Sequence, residues 1–172
     1  IIDAGAHWTK ISANDGYPQE TLGRIGVTVS ASNPQIVYSI VQAKDGGIFR
    51  SDDGGAHWTK VNDNWSLRQR AFYYMSIYAD PTNPDLVYVP QVDALWVSHD
   101  GGKNFSMLNT PHGDNHIVWI NPDDPSVLLE GNDGGATVST DAGKTWSTEN
   151  NQPTGQFYHV ALDDQFPFHI YG

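Results

Sequence analysis

SDDGGAHW at residues 51–58, SHDGGKNF at residues 98–105 and STDAGKTW at residues 139–146 share the pattern Ser-x-Asp-x-Gly-x-x-aromatic. A shorter copy, DAGAHW, occupies residues 3–8. The aspartates of the four copies are separated by 50, 47 and 41 residues. Periods of about 40–50 residues are typical of the blades of a β-propeller. The repeats therefore predict a propeller.

A second marker, Pro-x-x-x-(Tyr/Leu), recurs in phase with the first and begins at Pro34, Pro84, Pro125 and Pro167. Four short β-rich runs, separated by Gly, Pro, Asn and Asp, fill each period, which predicts one four-stranded antiparallel blade per period. We expect an all-β chain with more than about 40% strand. Residues 1–172 then form one incomplete propeller segment. Residues 1–11 end a blade, 24–61, 72–108 and 115–148 are blades, and 156–172 begin another.

The repeated motif has a structural role by its chemistry. An aspartate in a tight turn accepts hydrogen bonds from nearby backbone N–H groups, glycine adopts positive φ, and the aromatic ring covers the neighbouring strands. We therefore assign structural roles to Asp3, Gly5, Trp8, Ser51, Asp53, Gly55, Trp58, Ser98, Asp100, Gly102, Phe105, Ser139, Asp141, Gly143 and Trp146.

These copies resemble the Asp-box, or bacterial neuraminidase, repeats of sialidases, xyloglucanase-type glycoside hydrolases and sortilin-type receptors. The stretch NPDDPSVLLEGNDGGATVSTDAGKTW at residues 121–146, together with GQFYHVALDD at 155–164, most resembles large sortilin-like propeller proteins of bacteria. The resemblance implies that each motif lies in the turn between the third and fourth strands of a blade. It specifies the fold better than the function, because one fold carries many functions.

Propellers tend to bind ligands around the central channel, where loops lead into the innermost strands. Alignment of the blades on the marker prolines predicts ligand-binding residues at this place, namely Arg24, Tyr73, Asp114 and His116. Trp119, in an innermost strand, is a further ligand-binding candidate as a platform on which a sugar could stack, and packing between blades is its alternative role. Asp114, His116 and Asp133 are the candidates for acid–base catalysis. His112 with these three residues is an alternative cation set. However, Asn-Asp-Gly-Gly at residues 132–135 has the composition of a turn, so we predict neither a metal site nor a cofactor.

Composition restricts the partners. The formal net charge of −11 argues against nucleic acid, since phosphate binding needs a basic surface. No apolar run approaches the ~20 residues that a membrane-spanning helix needs. With no cysteine, the chain has neither disulfides nor thiolate chemistry. Because the first and last blades are incomplete, we expect the remaining blades to come from the same polypeptide or from partner chains.

Together these features predict a segment of a secreted, periplasmic or cell-surface bacterial propeller that acts as a protein- or glycan-binding scaffold. The alternative is part of a xyloglucanase- or sialidase-like glycoside hydrolase. The enzyme alternative lacks expected groups: Arg24 and Arg70 are the only arginines in innermost strands, where a sialidase would use three. A xyloglucanase would place two carboxylates across a cleft between two propellers.

Overall fold

The computed structural model describes residues 5–150 and 159–171. The first sheet contains β1 (Ile25–Val29), β2 (Val37–Val41), β3 (Gly47–Ser51) and β4 (Thr59–Asn62), paired in that order. A 3-10 helix (Trp65–Arg68) follows. The second sheet contains β5 (Tyr78–Ala79), β6 (Val87–Pro90), β7 (Leu95–Ser98) and β8 (Ser106–Leu108), again in chain order.

The third sheet has three strands, β9 (Asn115–Ile120), β10 (Leu128–Asn132) and β11 (Gly135–Ser139), with β10 in the centre. A two-stranded hairpin follows, formed by β12 (Ala161–Leu162) and β13 (Ile170–Tyr171). Every strand pair in the four sheets is antiparallel. The prediction of an all-β chain built from four-stranded antiparallel sheets is confirmed.

Among the described residues, strand content is lower than expected, at 34% rather than more than about 40%. In the predicted blade over residues 72–108, the first strand is only the two residues of β5, because Arg70 (φ 46°) and Met75 (φ 132°) turn the backbone before it. In the predicted blade over residues 115–148, residues 145–147 do not form the expected fourth strand. There, a backbone hydrogen bond from Ser147 N–H to the Val138 carbonyl (2.8 Å) connects the segment to β11.

The sheets pack face to face through apolar side chains that alternate along each strand, as the two-residue period of a strand requires. One cluster joins the first and second sheets and includes Tyr38, Ile40, Ile77 and Val87. A second cluster joins the second and third sheets. A third covers the other face of the first sheet, where Tyr17 packs on Phe49 and Trp58.

Arg50 links the first two sheets at their edge. Its guanidinium contacts the Asp85 carboxylate in the turn before β6, and its Nη1 donates to the Tyr38 hydroxyl at 2.9 Å. The Tyr38 hydroxyl in turn donates to the Pro84 carbonyl at 2.8 Å. The turn that carries the marker proline of one repeat is therefore fixed against the second and third strands of the preceding repeat.

The three complete copies of the motif form one repeated turn, found after β3, β7 and β11. In the turn after β11, Asp141 Oδ1 accepts from the Ser139 hydroxyl (2.9 Å) and from Thr145 N–H (2.8 Å). Ser139 Oγ accepts the buried N–H of Gly143 (2.8 Å). The other two turns have the same bonds around Asp53 and Asp100.

The glycines of the repeated turns take positive φ, with Gly55 at 93°, Gly102 at 82° and Gly143 at 85°. The side-chain hydroxyl and the backbone N–H of Thr145 donate hydrogen bonds to the Asp141 carboxylate, and these bonds lower the pKa of Asp141 to about 2. Of the shorter copy, Asp3 lies outside the described residues, Gly5 has φ 91°, and Trp8 is 77% exposed.

Candidate functional site

Eight residues from the three sheets and their connecting loops lie on one surface, joined by side-chain or backbone contacts. It is formed by the residues before β1 and β5, the start of β9 and the turn between β10 and β11. We call it the loop surface, and its members are Arg24, Arg70, Phe72, Tyr73, Tyr74, Asp114, His116 and Asp133.

His116 is at the centre of the loop surface. Its imidazole stacks on the ring of Tyr74, with the centroids 5.4 Å apart and the planes 7° from parallel. Tyr73 meets the same imidazole edge-on at 5.2 Å. His116 Nε2 lies 2.8 Å from Asp133 Oδ1. The imidazole is thus held in one orientation by two aromatic rings and a carboxylate.

The turn that carries Asp133 is shaped by its neighbour. Asn132 Oδ1 accepts the N–H groups of Gly134 (2.8 Å) and Gly135 (3.1 Å), so the Asp133 side chain is not needed to close the turn. Its carboxylate is available to His116. Residues 132–135 therefore form a turn, as their composition indicated, and Asp133 of that turn also contacts the loop surface.

Asp114 accepts hydrogen bonds from two residues of the loop before β5. The Tyr74 hydroxyl donates to its Oδ1, and Arg70 Nη1 lies 3.4 Å from the same oxygen. Burial, followed by the hydrogen bond to Asp114, raises the pKa of Tyr74 to about 12. Tyr74 therefore stays a protonated donor at any physiological pH. Asp114 itself has a left-handed backbone (φ 56°) and is half-buried.

Arg24 fixes the loop before β5 from the first sheet. Its Nη1 donates to the carbonyl oxygens of Phe72 (2.8 Å) and Tyr73 (3.0 Å). Within that loop, the N–H groups of Tyr73 and Tyr74 donate to the Arg70 carbonyl at 2.8 and 3.0 Å. The rings of Phe72 and Tyr73 remain 78% and 59% exposed. The result is a tight turn that presents two aromatic rings to solvent.

The structure therefore brings together Arg24, Tyr73, Asp114, His116 and Asp133. It does not bring Trp119 to them. Trp119 lies further along β9, beside a groove of about 300 Å³ lined by β1, β5 and β9. Roles in catalysis or ligand binding remain predictions for all of these residues.

The alternative cation set does not assemble. Within residues 5–150 and 159–171, no group of three or more His, Asp or Glu side chains is placed to hold a metal ion. The ring of His112 contacts the Gly113 carbonyl through Nδ1 (2.9 Å). A Cβ added to Gly134 would lie 2.9 Å from the Cβ of His112, so this side chain packs against the turn instead.

Glu130 and Glu149 were missed by the sequence reasoning. Glu130 is 1% exposed, and its Oε2 accepts from Asn132 Nδ2 at 2.7 Å. One buried oxygen of each glutamate, Oε1, finds no hydrogen-bond partner among the described residues. Burial, with a smaller contribution from Glu149, raises the pKa of Glu130 to about 7. The available signal was a glutamate inside the apolar run VLLEG at residues 127–131.

A protein-family model described as "Sortilin, neurotensin receptor 3" (Sortilin-Vps10) matches residues 46–165. A comparison with curated protein sequences found no match. In the described part of the chain, no helix has the length and apolar character needed to cross a membrane.

Three solved structures share the fold. The GH74 enzyme of Niastella koreensis is 16% identical, with a TM-score of 0.59, over 74% of this chain and 22% of that one. The GH74 xyloglucanase of Xanthomonas campestris is 16% identical, with a TM-score of 0.56, over 80% and 24%. YCF48 from Cyanidioschyzon merolae is 22% identical, with a TM-score of 0.52, over 76% and 38%. The propeller prediction is confirmed, and the chain spans less than two-fifths of each structure.

Proposed function

Because the chain belongs to the Sortilin-Vps10 family, we propose that it is a segment of a ligand-binding propeller that works outside the cytoplasm. Its ligand is a protein or a glycan, bound at the loop surface. The observation that supports this proposal is the arrangement of Tyr73, Tyr74 and Asp133 around the imidazole of His116, beside a loop that exposes the ring of Phe72.

The chemistry of the loop surface suits recognition. Exposed aromatic rings such as Phe72 and Tyr73 give a large contact area for little conformational entropy, because the side chain has only two rotatable bonds. Arg24 and Arg70 supply donors around them, while Asp133 supplies acceptors. These groups lie on loops held by packed sheets, the usual arrangement of binding residues on a rigid scaffold.

The chain covers 22–38% of the similar structures, so a complete propeller needs further blades. We propose that these come from the same polypeptide or from partner chains. The formal net charge of −11 disfavours nucleic acid as the ligand. We also propose a secreted or cell-surface bacterial location.

The glycoside hydrolase alternative rests on Asp114 and Asp133, which both belong to the loop surface. Both carboxylates already have partners in the structure. Asp114 accepts from Tyr74 and Arg70, and Asp133 contacts His116. Such contacts position side chains, and a binding role uses them without requiring turnover.

The experiment is a binding screen of the purified chain against an immobilised glycan library and a peptide library. The libraries should contain xyloglucan oligosaccharides and neurotensin, which the names of the similar proteins suggest. We expect saturable binding to one class and no release of reducing sugar. Hydrolysis that Asp114→Asn abolishes would establish the enzyme alternative instead. Absence of binding in both libraries would contradict the proposal.

A further inference from the structure

A chain of hydrogen bonds connects the buried Glu130 with the turn between β10 and β11. Asn132 Nδ2 donates to Glu130 Oε2 at 2.7 Å. The oxygen of the same amide, Asn132 Oδ1, accepts the N–H groups of Gly134 at 2.8 Å and Gly135 at 3.1 Å. One amide therefore binds the carboxyl on one side and closes the turn on the other. A change at the Glu130 carboxyl reaches the turn through this side chain.

The turn also carries one contact of the loop surface. Asp133 lies inside it, and Asp133 Oδ1 is 2.8 Å from Nε2 of His116. The Asp133 side chain has only two rotatable bonds, so a shift of the backbone at residues 132–135 moves its carboxylate relative to the imidazole. Glu130 is thus linked to the loop surface through Asn132 and the turn.

A second carboxyl lies close to the same turn. Glu149 follows the third repeated turn, and a Cβ added to Gly134 would collide with Glu149 Oε2. Oε1 of Glu130 and Oε1 of Glu149 are both buried, and neither has a hydrogen-bond partner among the described residues. The charge of Glu149 also acts on Glu130. Two buried carboxyl groups that interact in this way cannot both be ionised without a large cost in free energy.

The other neighbours of Glu130 do little to compensate a second negative charge. Among the described residues, the titratable groups that act on Glu130 are Glu149 and, more weakly, His112 of the loop before β9. Its partners across the sheet, Val118 of β9 and Thr137 of β11, are uncharged. Burial, with a smaller contribution from Glu149, raises the pKa of Glu130 to about 7. A protonated carboxyl would supply the donor that the two unpartnered oxygens lack.

We propose that Glu130 and Glu149 hold one proton between them below neutral pH, and that this proton fixes the turn and, with it, Asp133. Above neutral pH both carboxyls are charged, and their repulsion acts on the turn through Asn132 and at Gly134. Glu130 is then a positioning residue of the loop surface that acts through Asn132. The inference rests on the proposed function only where it gives Asp133 a role in ligand binding.

Amide hydrogen exchange tests the proposal on the protein without ligand, so a failed binding screen leaves this result unaffected. The readout is the protection of the Gly134 and Gly135 N–H groups, which exchange when they separate from Asn132 Oδ1. We expect their protection to fall at least about tenfold between pH 5 and pH 8, after correction for the intrinsic exchange rate. Glu130→Gln keeps an acceptor for Asn132 Nδ2 and supplies a donor, so its protection should not fall.

Glu130→Leu is the matched variant. It also removes the buried charge, but it leaves Asn132 Nδ2 without its acceptor. If Glu130 affected only the stability of the fold through its buried charge, the two substitutions would have the same effect on the turn. We expect low protection of Gly134 N–H at both pH values in Glu130→Leu and high protection in Glu130→Gln. Equal protection in the two variants, or a parent whose protection is the same at both pH values, would overturn the proposal.

A ring signal of His116 tests the step from the turn to the loop surface. The difference in its Hε1 chemical shift between a protein with Asp133 and the same protein with Asp133→Asn measures their contact at one pH. At pH 8 we expect this difference to be lost in the parent and kept in Glu149→Gln, which removes one charge of the pair outside the strands. A difference that is kept in both proteins, or lost in both, would contradict the proposal, and this test needs no substitution at Glu130.

Discussion

His116 of β9 and Tyr74 of the loop before β5 stack with their ring planes 7° apart and their centroids separated by 5.4 Å. The contact joins residues 42 positions apart and brings the loop before β5 against the start of the third sheet. It also places the Tyr74 hydroxyl on Asp114 and His116 Nε2 on Asp133. The loop surface is therefore a connected set of contacts, and its parts can be tested separately.

The hydrogen bond of Tyr74 should stabilise this arrangement. Tyr74 is buried, and Tyr74→Phe removes the donor to Asp114 while keeping the stacked ring. We expect the free energy of unfolding to fall by about 1–2 kcal/mol, because the acceptor is charged and half-buried. Tyr73→Phe is the matched control, since Tyr73 is exposed, and it should be neutral in urea denaturation. Equal effects of the two substitutions would contradict the assignment.

The serine of the repeated turn should contribute more to the stability of the fold than the exposed hydrogen bond between Thr145 and Asp141. Ser139 Oγ accepts the buried N–H of Gly143, whereas Asp141 serves the exposed N–H of Thr145. Ser139→Ala leaves the Gly143 N–H without an acceptor, so we expect a loss of about 1–3 kcal/mol. Thr145→Val, which removes one exposed bond to Asp141, should cost less. If thermal unfolding shows a larger loss of stability for Thr145→Val than for Ser139→Ala, the bond from Gly143 N–H to Ser139 is not the main contact that stabilises the turn.

The aspartates of the repeated turns should make stability depend on acidity. The pKa values of Asp100 and Asp141 are lowered to about 2, from 3.8. A lowered folded-state pKa gives stability that is present above the unfolded pKa and lost as the pH falls through the folded one. We therefore expect a decline in the urea midpoint between about pH 4 and pH 2. Asp141→Asn should reduce this decline of the urea midpoint. If the midpoint of the variant depended on pH as that of the parent does, the lowered pKa of Asp141 would not be a source of the decline.

Glu130 should make the stability fall as the pH rises, which is the opposite of the dependence expected from Asp100 and Asp141. Its pKa is raised from 4.5 to about 7, so the folded state favours the protonated form. Stability from this group is complete below pH 4.5 and is lost as the pH rises towards 7. The loss is on the order of 3 kcal/mol.

The measurement for Glu130 is urea denaturation at pH 5 and pH 8. Glu130→Gln should be more stable than the parent at pH 8 and should lose the slope between the two values. Glu149→Gln should reduce the slope, because the charge of Glu149 raises the pKa of Glu130. If Glu130→Gln kept the slope of the parent, the buried carboxyl would not be its origin.

The sequence predicted those features that depend on residues close together in the chain. The repeated turns follow from Ser, Asp and Gly at fixed spacing, and alignment on the marker prolines selected Arg24, Tyr73, Asp114 and His116 of the loop surface. The bend at Met75 was not predictable, because a positive φ at a methionine comes from packing and not from local preference. Glu130 and Glu149 were missed for a similar reason, since they come close only through the tertiary structure.

The most direct measurement compares the affinity of the best ligand from the screen for three variants with that for the parent chain. Tyr73→Ala and His116→Ala change the loop surface, while Met107→Ala changes an exposed residue of β8. With melting temperatures matched, we expect the first two to weaken binding at least about tenfold, close to 1.4 kcal/mol, and the third to leave it unchanged. Unchanged affinity in Tyr73→Ala and His116→Ala would contradict binding at the loop surface.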